Sequence, residues 1–269
     1  MESRIFLSES EVAQRRLEEK TLKIARHLFE VHGYLKIDNL FSVEFIQTLA
    51  SSLVSQLQFD EIEGHLKSGS QVSHQRYIVP IPFKPPFNDP ELYAHPVLLS
   101  LMKEFLGPHC ILSSLGSVVS LPGATDQHVH ADYLPLFEES PELTGTYPSY
   151  AITVAVPLVD IDLLNGPTKI WSGSHRIYPI DSEMRSYYRH LLCGVMGSCY
   201  FWDYRTIHAG GSNHSETIRP LLYMGYTRRW FKDLLNPDQL KIEEGEFQQI
   251  PKEHHKLFTS GHAQTFLRN

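Results

Sequence analysis

A series of short apolar or alternating runs beginning at Ile111 most limits what this chain can fold into. The runs fall at 111–121, 127–133, 150–158, 168–171, 192–202 and 219–231, with Gly, Pro and Asn turns between them. Runs this short, closed by turn formers, read as strands. The chain before them has a different period. Residues 9–31 carry helical spacing (Val12, Leu17, Leu22, Ala25, Leu28, Phe29), and 33–37 reads as a strand. Ser42 is a natural N-cap for a second helix through Leu57. Residues 60–90 mix Gly, Ser, Gln and Pro and read as one long loop, and a short helix at 96–105 stops at Gly107-Pro108. Helices followed by a run of strands imply a mainly β fold with flanking α-helices, a sandwich or jelly roll. No linker is evident. One domain over 1–269 is therefore expected: helices about 1–110 on a core about 111–235, with a C-terminal extension at 236–269.

Within that β half, His130 and Asp132 flank Ala131, and His208 stands alone much further on. On a strand, residues i and i+2 point to one side, so His130 and Asp132 can reach one ion while Ala131 points away. Two imidazoles and one carboxylate on one face of a metal, with the other positions open, form the ligand set of non-haem Fe(II) oxygenases. A chain with 15 histidines in 269 residues can produce a His-x-Asp triplet by chance in a polar surface turn, so the neighbours matter. After His208 come the turn Gly210-Gly211 and then Arg219-Pro220, opening an apolar run. On a paired strand Arg219 can point into the same cavity, where a guanidinium grips a carboxylate with two prongs. A 2-oxoglutarate cosubstrate has that need at its far end.

Four segments, in order, resemble the phytanoyl-CoA dioxygenase family of Fe(II)/2-oxoglutarate-dependent oxygenases. They are Gly33-Tyr34-Leu35-Lys36-Ile37-Asp38-Asn39-Leu40, Gln127-His128-Val129-His130-Ala131-Asp132, Asn165-Gly166-Pro167 with Gly173-Ser174-His175, and Gly197–Trp202 with Asp203, His208 and Arg219-Pro220. The resemblance implies a double-stranded β-helix, also called a cupin-like jelly roll. It implies Fe(II) on His130, Asp132 and His208, and 2-oxoglutarate and O2 as cosubstrates, with Arg219 on the distal carboxylate. The product side is succinate, CO2 and a hydroxylated or desaturated small molecule. Asp132 separates the chain from the halogenating relatives, which lack that carboxylate.

The match has gaps. The family often carries Ser or Thr two positions after the distal histidine, where its hydroxyl helps to hold 2-oxoglutarate; here that position is Gly210. Thr153 is the candidate for a substitute hydroxyl, with strand filling as its alternative, and Gln127 is placed beside the metal. His128 lies on the same side as His130 in a regular strand, but His130 is the one paired with Asp132. His175 reads as a turn-holding residue, and Trp202, Trp230 and Phe231 as core aromatics. Tyr133–Ser149, with Tyr133, Leu134, Phe137 and Tyr147, is apolar for a loop and suits a lid over a hydrophobic substrate.

Composition narrows the partners. A net charge of −7 and a pI near 6.1 give no nucleic-acid footprint. No apolar run is long enough to span a bilayer, and no leader-like segment opens the chain. Cys110, Cys193 and Cys199 are odd in number and read as reduced thiols, so a cytoplasmic setting is expected. A small-molecule substrate is the expected partner, and a homodimer is compatible with the sequence without being readable from it. The substrate stays open among a natural-product intermediate of secondary metabolism, an acyl-CoA and a fatty acid. Two other classes remain: a cupin-type metalloenzyme needing no cosubstrate, and a jelly-roll binding protein without turnover.

Overall fold

A computed structural model describes residues 2–59, 66–133, 135–177, 189–235 and 240–258. Among the described residues eleven strands form two sheets: β1 (Arg4–Ile5), β2 (Tyr34–Ile37), β3 (Ser70–Ser73), β4 (Arg76–Pro80), β5 (Ile111–Ser120), β6 (Ala151–Pro157), β7 (Thr168–Ile170), β8 (His190–Leu192), β9 (Cys199–Asp203), β10 (His208–Gly210) and β11 (Arg219–Thr227). The large sheet runs β1-β2-β9-β6-β11-β5-β4-β3 and the small one β10-β7-β8. Together they make a cupin-like jelly roll, with helices on one side.

The large sheet is covered on both faces, which is why β6 and β9 are buried along their whole length. On β11, Leu222, Met224 and Tyr226 point to one side, into an apolar core shared with the helices. Arg219, Tyr223 and Gly225 point to the other side, into a cavity that residues of the small sheet also line. One strand thus serves core and site at once. The helices α2 (Glu19–His32), α3 (Val43–Gln56) and α5 (Pro96–Leu106) close the core side, with Phe29 stacked on Phe105 at 4.2 Å between ring centres. Leu98 and Leu101 are fully buried there, and truncating either to Ala would cost about 2–5 kcal/mol.

Local chemistry sets most boundaries. Ser42 caps α3 by accepting from the Phe45 amide, and α5 starts on Pro96 and stops at Gly107. The single helix expected over 9–31 is two helices. A capping box between Ser8 and Glu11 starts α1 (Glu9–Gln14), and Arg15 ends it with φ of 53°, so α2 needs a fresh start at Glu19.

Two further expectations are corrected. The stretch 60–90 is not one long loop: β3 and β4 pair as a hairpin and extend the large sheet beside β5. Its described Gly, Ser and Pro residues sit at the turns and edge and mask the short Tyr77-Ile78-Val79 run in the sequence. The N-terminal part is thus not purely helical, since β1 to β4 all belong to the main sheet. Residues 127–133 are not a regular strand either. They touch the chain after β9 only at intervals, Gln127 to Gly210, His130 to His208 and Asp132 to Tyr204, because they follow a turn rather than a straight partner. The run 192–202 breaks into β8 and β9 around Gly197, whose φ is 93°. Leu134 and the tail beyond Phe258 lie outside the described residues. Cys110, Cys193 and Cys199 form no disulfide, and among the described residues no helix is long and apolar enough to cross a membrane.

Candidate metal centre and anion pocket

His130 and His208 are joined backbone to backbone. The His130 amide donates to the His208 carbonyl at 3.0 Å and the His208 amide returns a bond at 2.8 Å. This isolated bridge sets the two rings 4.4 Å apart, centre to centre. Asp132 joins them through the bond from its own amide to the Tyr204 carbonyl, 2.8 Å. One atom from each of the three side chains falls within 4.8 Å of the others, a spread that a single metal ion can bridge.

Each of the three is oriented by a second contact. His130 Nδ1 lies 2.9 Å from the His128 carbonyl and His208 Nδ1 lies 3.0 Å from the Thr206 carbonyl. A carbonyl only accepts, so each Nδ1 carries the proton and each Nε2 keeps a free lone pair. On Asp132, one oxygen takes both available donors: Thr153 Oγ1 donates at 2.6 Å and Trp202 Nε1 at 2.8 Å, both to Oδ2. Oδ1 is left facing His208 Nε2 at 3.5 Å. Burial, with His208 next to it, pushes the His130 imidazole down to about 4 against the pull of Asp132, so it is neutral at physiological pH, as a ligand must be.

The triad opens on a cavity of about 140 Å³ whose other end is cationic. Arg219 is 1% exposed and Arg76 is fully buried, and both line it. Arg219 Nη2 donates to Ser120 Oγ at 2.9 Å, and its Nε has no partner among the described residues. Arg76 Nη2 donates to the carbonyls of Thr125 at 3.1 Å and Gly211 at 2.6 Å, while Nε and Nη1 have none. Burial and then the charge of Arg219 pull the Arg76 guanidinium down to about 10, still well above neutrality. The cavity therefore pairs three metal-ligand atoms with buried N–H donors short of acceptors, the arrangement that a chelating acid with a distal carboxylate fits.

The sequence candidates are distributed as follows. His130, Asp132, His208, Arg219, Thr153 and Gln127 all line the one cavity. Thr153 does not offer its hydroxyl to the cavity; it spends it on Asp132. Gln127 Oε1 accepts from the Gly210 amide at 3.2 Å, holding the chain just past His208. His128 stands outside the triad, its carbonyl orienting His130. His175 packs under Gly33, with Nε2 3.3 Å from the Glu30 carbonyl. Phe231 is buried, but Trp230 is 66% exposed and is no core residue. Trp202 does more than fill space, since its indole holds the metal-side carboxylate.

Arg76 carries little signal in the sequence, being a lone arginine before an apolar triplet within a stretch of loop-like composition. The aromatic loop 133–149 begins next to Asp132 and is pinned at its far end. Arg205, paired two-pronged with buried Asp203, donates to the carbonyls of Thr144 and Tyr147 at 2.7 and 2.9 Å. Tyr133, Tyr147 and Leu136 pack on Tyr150, Tyr204 and Phe231. Of this cluster, Tyr204 reaches the cavity lining.

Known proteins share this build. The epimerase SnoN from nogalamycin biosynthesis, described as non-haem and α-ketoglutarate dependent, superposes with a TM-score of 0.60 at 15% identity over 84% of this chain and 95% of its own. The carbocyclase SnoK from the same biosynthesis gives 0.59 at 16% identity, over 84% of this chain and 94% of its own. HygX from Streptomyces hygroscopicus, solved with nickel, 2-oxoglutarate and hygromycin B, gives 0.60 at 18%, over 80% and 89%. At these identities the likeness is one of fold. The phytanoyl-CoA dioxygenase family model matches residues 29–221, which contain the triad, Arg76 and Arg219. With that match over most of its length, the chain belongs to the phytanoyl-CoA dioxygenase family, and so to the non-haem iron, 2-oxoglutarate-dependent enzymes.

Proposed function

We propose that this protein is an Fe(II)- and 2-oxoglutarate-dependent dioxygenase that hydroxylates or desaturates a small, largely apolar organic molecule, of the natural-product-intermediate kind. The reading is carried by one observation: a His-Asp-His set and a buried arginine share a single cavity. His130, Asp132 and His208 would hold the iron, and Arg219 the distal carboxylate of 2-oxoglutarate. When bound, the metal supplies O2 activation coupled to oxidative decarboxylation of 2-oxoglutarate to succinate and CO2.

The chain's own residues do the rest by position. The two Nδ1 hydrogen bonds present both Nε2 lone pairs to one point, and Trp202 and Thr153 keep Asp132 from turning away. Arg219 fixes the length and direction of the cosubstrate, so that its 2-oxo acid end reaches the triad. Tyr204, backed by Tyr150 and Phe231 and packed on by Tyr133, Leu136 and Tyr147, closes one side of the cavity against water. Tyr204, Ile78 and Val118 are the lining residues that support an apolar portion in the substrate. The similar proteins named for nogalamycin biosynthesis and for bound hygromycin B support the natural-product class of substrate rather than its polarity. The whole described chain is taken as one catalytic unit, since β1 to β4 complete the sheet that carries the site.

Succinate release tests the reading. Anaerobically Fe(II)-loaded protein given 2-oxoglutarate and O2 should form succinate slowly without substrate and faster in the presence of a hydrophobic small-molecule pool. Iron binding without succinate formation under any substrate pool, and without a chelate absorption band on adding 2-oxoglutarate, would reject it in favour of a metalloenzyme needing no cosubstrate.

A further inference from the structure

Gly210 and Arg76 exclude each other's alternatives. A Cβ built on Gly210 would lie 1.7 Å from Arg76 Nη1 and 2.7 Å from its Cζ. The volume that a serine or threonine side chain would take, two residues after His208, is already filled by a guanidinium arriving from β4. That guanidinium is fully buried, and two of its three nitrogens make no hydrogen bond among the described residues. Ser120 is the cross-strand partner of Arg76 on one side and of Arg219 on the other. Two buried positive charges therefore flank one serine, and neither forms an ion pair among the described residues. Like charges so placed repel each other, and their open N–H groups have lost water without gaining a protein acceptor. An anion between them relieves both costs, and a carboxylate matches the fork of a guanidinium.

We propose that Arg76 is the second guanidinium on the distal carboxylate of 2-oxoglutarate, replacing the hydroxyl that residue 210 does not carry, and that glycine at 210 is the condition for it. The proposal rests on the oxygenase reading, which supplies the 2-oxo dicarboxylate. It adds a specificity: the pocket ranks 2-oxo acids by whether they carry a second carboxylate.

Calorimetric titration of Co(II)-loaded protein with 2-oxoglutarate and with 2-oxobutyrate tests this. Both acids present the same chelating end, and only the first has a distal carboxylate. Arg76→Gln keeps an amide donor for the Thr125 and Gly211 carbonyls while removing the charge. It should weaken 2-oxoglutarate binding on the order of tenfold to a hundredfold and leave 2-oxobutyrate unchanged. Gly210→Ser alone should also weaken 2-oxoglutarate binding, because the new side chain meets the guanidinium. In an Arg76→Ala background the same serine should instead recover part of the lost affinity, since space and need then coincide.

Equal 2-oxoglutarate affinity in wild type and Arg76→Gln, or an equal loss for both acids, would overturn the proposal. So would losses from Arg76→Ala and Gly210→Ser that simply add. If wild type binds neither acid, the oxygenase reading fails and the Arg76 assignment with it; if wild type binds 2-oxoglutarate and Arg76→Gln binds it equally well, only the latter falls.

Discussion

The two ends of the cavity are finished to different degrees. At the metal end, every polar atom that does not face the ion position has a partner. The two Nδ1 atoms hold carbonyls and Asp132 Oδ2 holds two donors. At the other end, Arg76 and Arg219 are buried with donors left open. The first end is a completed scaffold that requires only an ion. The second is held under-bonded and gains its acceptors when an anion enters. Catalysis needs both. Ligands of the metal must not rotate, whereas the grip on a consumed cosubstrate must let go of its product in every cycle.

Breaking the finished end should have the largest effect. Asp132→Ala removes one metal ligand and should cut 2-oxoglutarate-dependent succinate release on the order of a thousandfold or more; an active Asp132→Ala protein would mean that the metal sits elsewhere. Arg219→Ala, at the under-bonded end, should raise the 2-oxoglutarate concentration for half-maximal rate by roughly a hundredfold, with a smaller change at saturation. A fall confined to kcat would place Arg219 outside the carboxylate grip.

The supports of Asp132 sharpen the comparison. Trp202→Phe or Thr153→Val should each lower metal affinity about tenfold to a hundredfold, read by competitive Co(II) titration. An affinity equal to wild type would show that Oδ2 needs no anchoring.

Acid stability separates the scaffold from the site. Burial pushes His95 and His175 down to about 4, so both are neutral in the folded chain and accept protons more readily when unfolded. Between pH 6.5 and 4 the unfolded state binds more protons, so stability falls as pH falls, on the order of 2 to 3 kcal/mol per histidine. Melting curves of His175→Gln should show a shallower loss from pH 7 to 5 than wild type. Parallel curves would assign the acid sensitivity to other groups.

The sequence was most legible where function forces residue type. His130, Asp132, His208 and Arg219 stand out as the residue types that metal and carboxylate binding would demand, and they converge on one cavity. The strands β5, β6 and β11 were legible from their apolar runs between turns. The geometry joining these pieces was less so. His130 and Asp132 share a side without a regular strand: the segment is irregular, and the two residues meet because the backbone tracks the turn at 204–206, just before His208. Arg76 was hidden because β4 is short, lies near the sheet edge and is flanked by Gly, Ser, Gln and Pro, where composition says loop. Thr153 was noticed for its hydroxyl, but which neighbour takes that hydroxyl is a matter of a few tenths of a nanometre between strands, which no one-dimensional pattern encodes.

The mutual amide–carbonyl bonds of His130 and His208 have a consequence for metal supply. The imidazoles are spaced by the chain itself, so folding does not select the ion. For nitrogen and oxygen ligands, copper, nickel and zinc bind more tightly than ferrous iron. Spacing set by the backbone alone would leave the choice to whichever ion is free when the chain folds. The protein would therefore be open to mismetallation, and a preparation made in an iron-poor, zinc-rich medium would be well folded, fully loaded and inert.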